Sequence, residues 1–255
     1  MRSSVSCYIR KDTLNDAELA AFKHIGDIEG TPILDLGVGG GRTVTALRNF
    51  SENYTGLDYV EEMVEECKQK FPGVCFEEGD ARDLSRYADN YFSTVVFSMN
   101  GISMVDHQGR MEILSEVHRV LSPGGTFLFS TYNQNNKAYR TLFQLPEFNR
   151  TKNPIRLGAR VLKYSGKLCL MAYNRYRFKK FEFHSDEYSI VNDKCHHYAT
   201  MLYYISKTRQ LEQLDSVGFD KSRVSAYDLS GQKIVHDTVD DSLFYVAIKD
   251  ELEDV

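Results

Sequence analysis

Cysteine is sparse and scattered in this chain: Cys7, Cys67, Cys75, Cys169 and Cys195 are odd in number and never spaced C-x-x-C. That pattern argues against a disulfide framework and against a structural zinc site, and no metal is expected. No apolar run reaches the ~20 residues that span a bilayer. The stretch from Met1 to Arg10 lacks the apolar core of a signal peptide. A cytoplasmic protein without a membrane partner is the expectation. Internal repeats and low-complexity segments are missing too, and 255 residues suffice for one substantial core, or one core with an inserted segment.

Against this plain background stands Pro32 to Arg42, P-I-L-D-L-G-V-G-G-G-R, an apolar run that meets an acid and breaks into glycines. It reads as a buried strand, a tight loop and the start of a helix. Glycine lets such a loop take positive φ and lets a ligand approach with no Cβ in the way. The loop is therefore expected to cradle a nucleotide-like cofactor. A dinucleotide loop is spaced G-x-G-x-x-G/A with a small last residue, and Arg42 stands at that position here. Asp58 ends the next apolar run, about 20 residues on, where an acid can accept both hydroxyls of a ribose. A dinucleotide site shares that acid, so Asp35 and Arg42 are what discriminate. Asp58 could also merely cap the following helix, and Arg42 could form a local ion pair as easily as touch the cofactor.

From these residues onward the chain resembles the class I S-adenosylmethionine-dependent methyltransferases. D-L-G-V-G-G-G at Asp35 to Gly41 resembles their first motif, with Gly37, Gly39 and Gly41 in the loop, and Leu57-Asp58 resembles the ribose-binding acid. G-D-A-R-D-L at Gly79 to Leu84 resembles the adenine turn, where the family would use the Asp80 carboxylate and the Ala81 amide. V-V-F-S-M-N-G at Val95 to Gly101 resembles the fourth motif, and V-L-S-P-G-G-T-F at Val120 to Phe127 the turn before the fifth strand. The resemblance covers about residues 30 to 132 and is closest in pattern to a bacterial small-molecule branch reading L-G-V-G-G-G-R-T and F-S-x-N-G. It implies S-adenosylmethionine as cofactor and S-adenosylhomocysteine as product. It also assigns Arg42, Tyr59, Met63, Arg82, Ser98 and Asn100 to the cofactor site.

Periodicity between the motifs alternates between strand and helix, as a parallel sheet requires. Val60, Met63, Val64, Cys67 and Phe71 make one helix face, and Met111, Leu114, Val117 and Leu121 another. Phe127 and Phe129 read as core strand positions. The expected fold is α/β, a Rossmann-like doubly wound seven-stranded sheet with an inserted substrate lid. As one domain it divides into an N-terminal helical cap (1–30), a cofactor-binding core (31–132), a basic and aromatic lid (133–204) and a closing helix and strand pair (205–255). Ser206 to Val217 reads as that helix, with Leu211 and Leu214 inward, and Val224 to Tyr227 and Leu243 to Ile248 as the strands. In open sheets of this kind ligands bind beyond the carboxyl ends of the strands.

Acids are nearly absent from Lys137 to Lys180, which holds twelve Lys and Arg against Glu147 alone and leaves 19 basic and 35 acidic residues elsewhere. Aromatics accompany the charge, among them Tyr139, Phe143, Tyr164, Tyr173 and Tyr176. Such a surface beside a cleft concentrates anionic ligands, so a small anionic acceptor is the expected partner. The same composition suits single-stranded nucleic acid, a solvated face, or a homodimer contact offsetting the acidic body. A membrane-binding helix through Ile155 to Tyr164 is disfavoured by Gly158 and Gly166.

The chemistry implied is transfer of a methyl group to an oxygen or nitrogen by in-line displacement, which mainly asks the protein to hold a nucleophile and exclude water. A hydroxyl acceptor also needs a base. Candidates are His107, His196 and His197, with Tyr132 and Asn133 as orienting groups. An RNA methyltransferase and a non-catalytic cofactor-binding partner protein are the alternative readings.

Overall fold

The computed structural model describes residues 13–136, 145, 146, 148 and 151–251; the side chains of Cys195 and His196 lie outside the described set, as do Tyr139 and Phe143. The strands are β1 (Ile33–Leu36), β2 (Tyr54–Asp58), β3 (Cys75–Glu78), β4 (Phe92–Phe97), β5 (Leu121–Asn133), β6 (Phe183–His184), β7 (Tyr188–Asn192), β8 (Met201–Ile205), β9 (Val224–Tyr227) and β10 (Ser242–Ile248). The helices are α1 (Asp16–Phe22), α2 (Val44–Arg48), α3 (Glu61–Lys70), α4 (His107–Val120), α5 (Pro154–Phe178) and α6 (Lys207–Ser216).

β3, β2, β1, β4 and β5 run parallel in that order. β10 returns antiparallel against β5, and β9 antiparallel against β10. Each face of this sheet has its own core, because successive strand residues point to opposite sides. Phe127 and Phe129 pack with Ile113, Leu114 and Val117 of α4 and with Leu214 of α6. Leu128, between them, packs on the other face with Val44, Leu47, Val64 and Phe22. Helices thus cover both faces, as a parallel sheet requires.

The sheet has ten strands among the described residues, where seven were expected. The pairing of β4 with β5 ends at Phe97 and Phe129, so the last residues of β5 project beyond β4 with backbone groups unpaired on that side. Such groups need partners. β8 supplies them, pairing parallel at Tyr132 with Tyr204 and Asn133 with Ile205, and β7 and β6 follow antiparallel. Part of the segment read as a lid is therefore sheet.

Two helix faces differ from expectation. On α4 the buried set is Arg110, Ile113, Leu114, Val117 and Val120, with Met111 only partly covered. On α6 Gln210 and Leu214 are buried, while Leu211 lies at the boundary. In each case a polar side chain takes an inward position, and the two meet, as described below for Arg110. The α3 face is as read, with Met63, Val64 and Cys67 buried.

Helix α5 runs unbroken through Gly158 and Gly166. Asn153 caps it with bonds to the Ile155 and Arg156 N–H groups, and Pro154 occupies its first turn. Its body contacts concentrate at the C-terminal half, where Met171 and Asn174 are buried and Asn174 donates to the His197 carbonyl at 3.0 Å. Most of its remaining surface is exposed, including Ile155, Leu162, Tyr173 and Tyr176.

Candidate active site

The carboxyl ends of β1 and β2 build the first half of the site. Gly37, Gly39 and Gly41 all have positive φ, but for different reasons. A Cβ on Gly41 would lie 2.5 Å from the Phe71 ring, and one on Gly37 would lie 2.7 Å from the Phe97 ring. Those glycines let the loop pack on its own fold. A Cβ on Gly39 would meet only the Gly37 carbonyl, at 3.8 Å, so this glycine leaves open space over the loop where a ligand can approach.

Gly39 also donates its N–H to Asp58 Oδ2 at 2.8 Å, while Val60 N–H bonds Oδ1 at 3.0 Å. The Tyr59 N–H also bonds this carboxylate, which has about four acceptor positions. The carboxylate thus anchors the loop and the start of α3 with some acceptor capacity to spare. Burial raises its pKa, and the backbone N–H groups oppose that rise. Tyr59, which follows it, is exposed.

Asp35 lies under the loop rather than in it. It is buried and accepts from the Thr43 hydroxyl and, at 2.8 Å, from the Tyr54 hydroxyl. Its role is to fasten the loop to β2. Burial pushes its pKa from 3.8 up to about 6, the two hydroxyl bonds acting against it. The folded chain therefore binds the Asp35 proton more tightly than the unfolded chain. Stability from this group is greatest near pH 4 and falls as pH rises to about 6. At 1.36 kcal/mol per pH unit this amounts to about 3 kcal/mol. Asp35→Asn should lose that slope, so its stability relative to the native protein should improve by up to about 3 kcal/mol between pH 4 and pH 7. Urea unfolding of both proteins across that range checks this; parallel curves would show that Asp35 ionises normally.

Arg42 is committed locally. It pairs with Glu18 of α1 through both guanidinium nitrogens, and it donates to Ser98 Oγ at 3.2 Å. Ser98 in turn donates to Glu18, which is fully buried. Glu18 also closes a capping box with Asn15. A clasp of Glu18, Arg42 and Ser98 thus holds the N-terminal helix against the glycine loop. The Arg42 charge is matched locally by this ion pair, because a buried carboxylate needs a partner.

Asp80 and Arg82 are likewise tied to each other, Arg82 Nε lying 3.0 Å from both Asp80 oxygens. That bond holds the Asp80 carboxyl below its ordinary pKa. Ala81 packs against the core cluster and Met63 is buried. Met99 and Asn100 both have positive φ, a strained pair of the kind that clusters at functional sites. Asn100 binds Ser130 Oγ through its N–H and Ser242 Oγ through its side-chain amide, leaving its buried Oδ1 without a partner.

The second half of the site is an aromatic cluster beyond β4 and β5. His107, the first residue of α4, stacks on Tyr188 at 4.4 Å with the rings parallel to within 1°, and its Nδ1 lies 2.9 Å from the Tyr203 hydroxyl. Tyr132 stacks on Tyr204, whose hydroxyl donates to Asp193. Tyr203 lies over Arg110, a fully buried cation that donates to the Ile102 carbonyl, Thr131, Gln210 and Gln213. Every one of those acceptors is neutral. Burial pulls the Arg110 pKa down to about 10 and pushes that of Tyr203 up to about 12, so at neutral pH Arg110 is charged and Tyr203 keeps its proton.

The structure brings His107 together with residues that carry no motif, Tyr188, Tyr203, Arg110 and Gln213. His197 sits elsewhere, exposed in the turn Cys195–Tyr198 with its carbonyl bonded to Asn174 of α5. The His196 side chain is outside the described residues. Among the described residues no group of three or more His, Cys, Asp or Glu is arranged to hold a metal ion, and no helix is long and apolar enough to cross a membrane.

Comparison with known proteins agrees with this architecture. The family described as "Methyltransferase domain" matches residues 33–125. The fatty-acid O-methyltransferase of Mycolicibacterium smegmatis is 32% identical over 129 residues, 49% of this chain and 43% of that protein. The ubiquinone biosynthesis O-methyltransferase of Pseudomonas syringae pv. tomato is 31% identical over 118 residues, 44% of this chain and 49% of its own. The alignments therefore span about half the length of these relatives. Among solved structures, an S-adenosylmethionine-dependent methyltransferase from Clostridium acetobutylicum superposes with a TM-score of 0.63 at 13% identity, covering 98% of each chain. The matched segment contains the glycine loop, Asp58 and Asp80, and the topology around it is shared. Residues 33–125 match the methyltransferase-domain family, and the chain has the fold of the class I S-adenosylmethionine-dependent methyltransferases.

Proposed function

We propose that this chain transfers a methyl group from S-adenosylmethionine to an oxygen or nitrogen of a small anionic acceptor. The observation that carries this reading is the pairing of Gly39 with Asp58. The loop is open above Gly39, and the Asp58 carboxylate beside it accepts backbone N–H groups with acceptor capacity to spare. Asp58 would take the ribose hydroxyls, Asp80 and the Ala81 amide the adenine edge, and Tyr59 a face of the ring. Bound there, the cofactor supplies an electrophilic methyl group. The chain's own part is to orient the acceptor and keep water away. Residues 133–204 would form the substrate-facing segment, with the His107 and Tyr203 cluster beside it.

The relatives named above carry lipid and quinone acceptors in their names, which supports a small-molecule acceptor over a nucleic acid. Titration calorimetry with S-adenosylmethionine, S-adenosylhomocysteine and NAD tests the cofactor. Binding of the two adenosyl ligands is expected; binding of NAD alone, or of nothing, would sink the proposal.

Anionic preference is expected to reside in α5 and the turn after it. Arg175 is paired with Glu182 and bonds the Asn192 carbonyl at 3.1 Å, so it is structural. Arg177, Lys179 and Lys180 are exposed. Reversing these three to Glu should raise KM for an anionic acceptor by about tenfold at low salt and leave cofactor affinity unchanged. The difference should shrink at high ionic strength. Indifferent turnover would make the basic face a solvated surface only.

A further inference from the structure

We infer that Arg110, Gln213 and Tyr203 fix the direction of a hydrogen-bond chain that presents His107 to the acceptor as an N–H donor, not as a proton-accepting base. The inference rests on the proposed placement of the acceptor beside this cluster, but the proton order itself follows from the protein alone. An arginine side chain can only donate. Arg110 Nε lies 3.1 Å from one end of the Gln213 carboxamide, so that end is the oxygen. The other end is then the NH2 group, and it faces the Tyr203 hydroxyl at 2.9 Å. Tyr203 accepts from Gln213 and has a single proton left to give. Its remaining neighbour is His107 Nδ1, also at 2.9 Å.

With the Tyr203 proton directed at Nδ1, as inferred, neutral His107 carries its own proton on Nε2. Protonation of the ring would place a hydrogen on both nitrogens and make the Tyr203 oxygen accept from Nδ1 as well as from Gln213. In either state Nε2 carries a hydrogen. Among the described residues Nε2 has no protein partner and is not among the buried unpaired atoms. The ring plane is held by the stack on Tyr188, so the N–H points in one fixed direction. Its ligand is a hydrogen-bond acceptor, such as a carboxylate oxygen. A substrate group that arrives already ionised asks no base of the enzyme, which agrees with an anionic acceptor. Arg110, Gln213 and Tyr203 are positioning residues in this arrangement. The buried cation is the anchor, because a neutral residue in its place would let the Gln213 amide turn over.

The test is the tautomer of His107, read by 15N NMR of histidine-labelled full-length protein at pH 8 without ligand, the signal being assigned by its loss in His107→Gln. A bare Nδ1 and a protonated Nε2 are expected in the native protein. In Gln213→Glu the carboxylate can pair with Arg110 and accept from Tyr203, which turns the Tyr203 proton away from His107; the two 15N signals should then exchange roles. Tyr203→Phe removes the donor and should give a mixture of tautomers. A native protein with its proton on Nδ1 would overturn the inference, as would a tautomer indifferent to both substitutions. This readout does not depend on the cofactor titration, so the two ideas fail separately.

Discussion

Asp58→Ala is expected to weaken S-adenosylmethionine binding by about 30- to 1,000-fold, equivalent to 2–4 kcal/mol for two lost hydrogen bonds to a charged acceptor. The site geometry makes this the most sensitive single position. Asp58 joins the loop to β2 through Gly39 N–H and holds the start of α3 through Val60 N–H, and on the proposed reading it also accepts from the ribose hydroxyls. Removing the carboxylate leaves both N–H groups without their partner, so a modest loss of stability should accompany the loss of affinity. Asp58→Asn separates the two effects. Its carboxamide oxygen can still accept from Gly39, which preserves the loop, but its NH2 group cannot accept from Val60 or from a ribose hydroxyl. Calorimetry should therefore show intermediate affinity with a Tm near that of the native protein. Unchanged affinity in Asp58→Ala would reject the site as drawn.

The second large effect belongs to the N-terminal clasp. Glu18 is fully buried and the Arg42 side chain is 10% exposed, so either partner alone is an uncompensated charge out of water. Removing one partner of such a pair costs about 3–5 kcal/mol. Glu18→Ala is expected to fall at the upper end, because it also removes the return bond of the Asn15 capping box and the acceptor for Ser98. Glu18→Met with Arg42→Met should recover much of the loss, since apolar side chains of similar volume leave no buried charge. Urea unfolding of the two single variants and the double variant forms the cycle. Costs that simply add would mean that the two groups do not interact and that α1 is held by its apolar face alone. Beyond stability, the clasp sits where α1 meets the glycine loop, so cofactor affinity should drop together with α1 docking.

Much of this was legible because its signals are local. The glycine loop, the acid ending the next apolar run, and the alternation of strand and helix periods all express short-range constraints on backbone and burial. They led to a parallel α/β sheet, which β1 to β5 form. Met63, Val64 and Cys67 of α3 took the inward face that their spacing marks. Arg42 was legible as to its type and not its partner. An arginine on the first turn after a glycine loop has two plausible uses, and the choice depended on where Glu18, 24 residues earlier, came to rest.

The sequence by itself determined the glycine loop and the strand ends around it, because these are written in consecutive residues. Tertiary structure alone decided what surrounds His107. His107 meets Tyr203 across 96 residues, and Arg110 meets Gln213 across 103. No period or spacing announces that a helix will turn an arginine inward or that another will answer with glutamines. The sheet count was decided in the same way. β8 joins because β5 outruns β4 and leaves backbone groups in need of partners, a demand that exists only once the strands lie side by side.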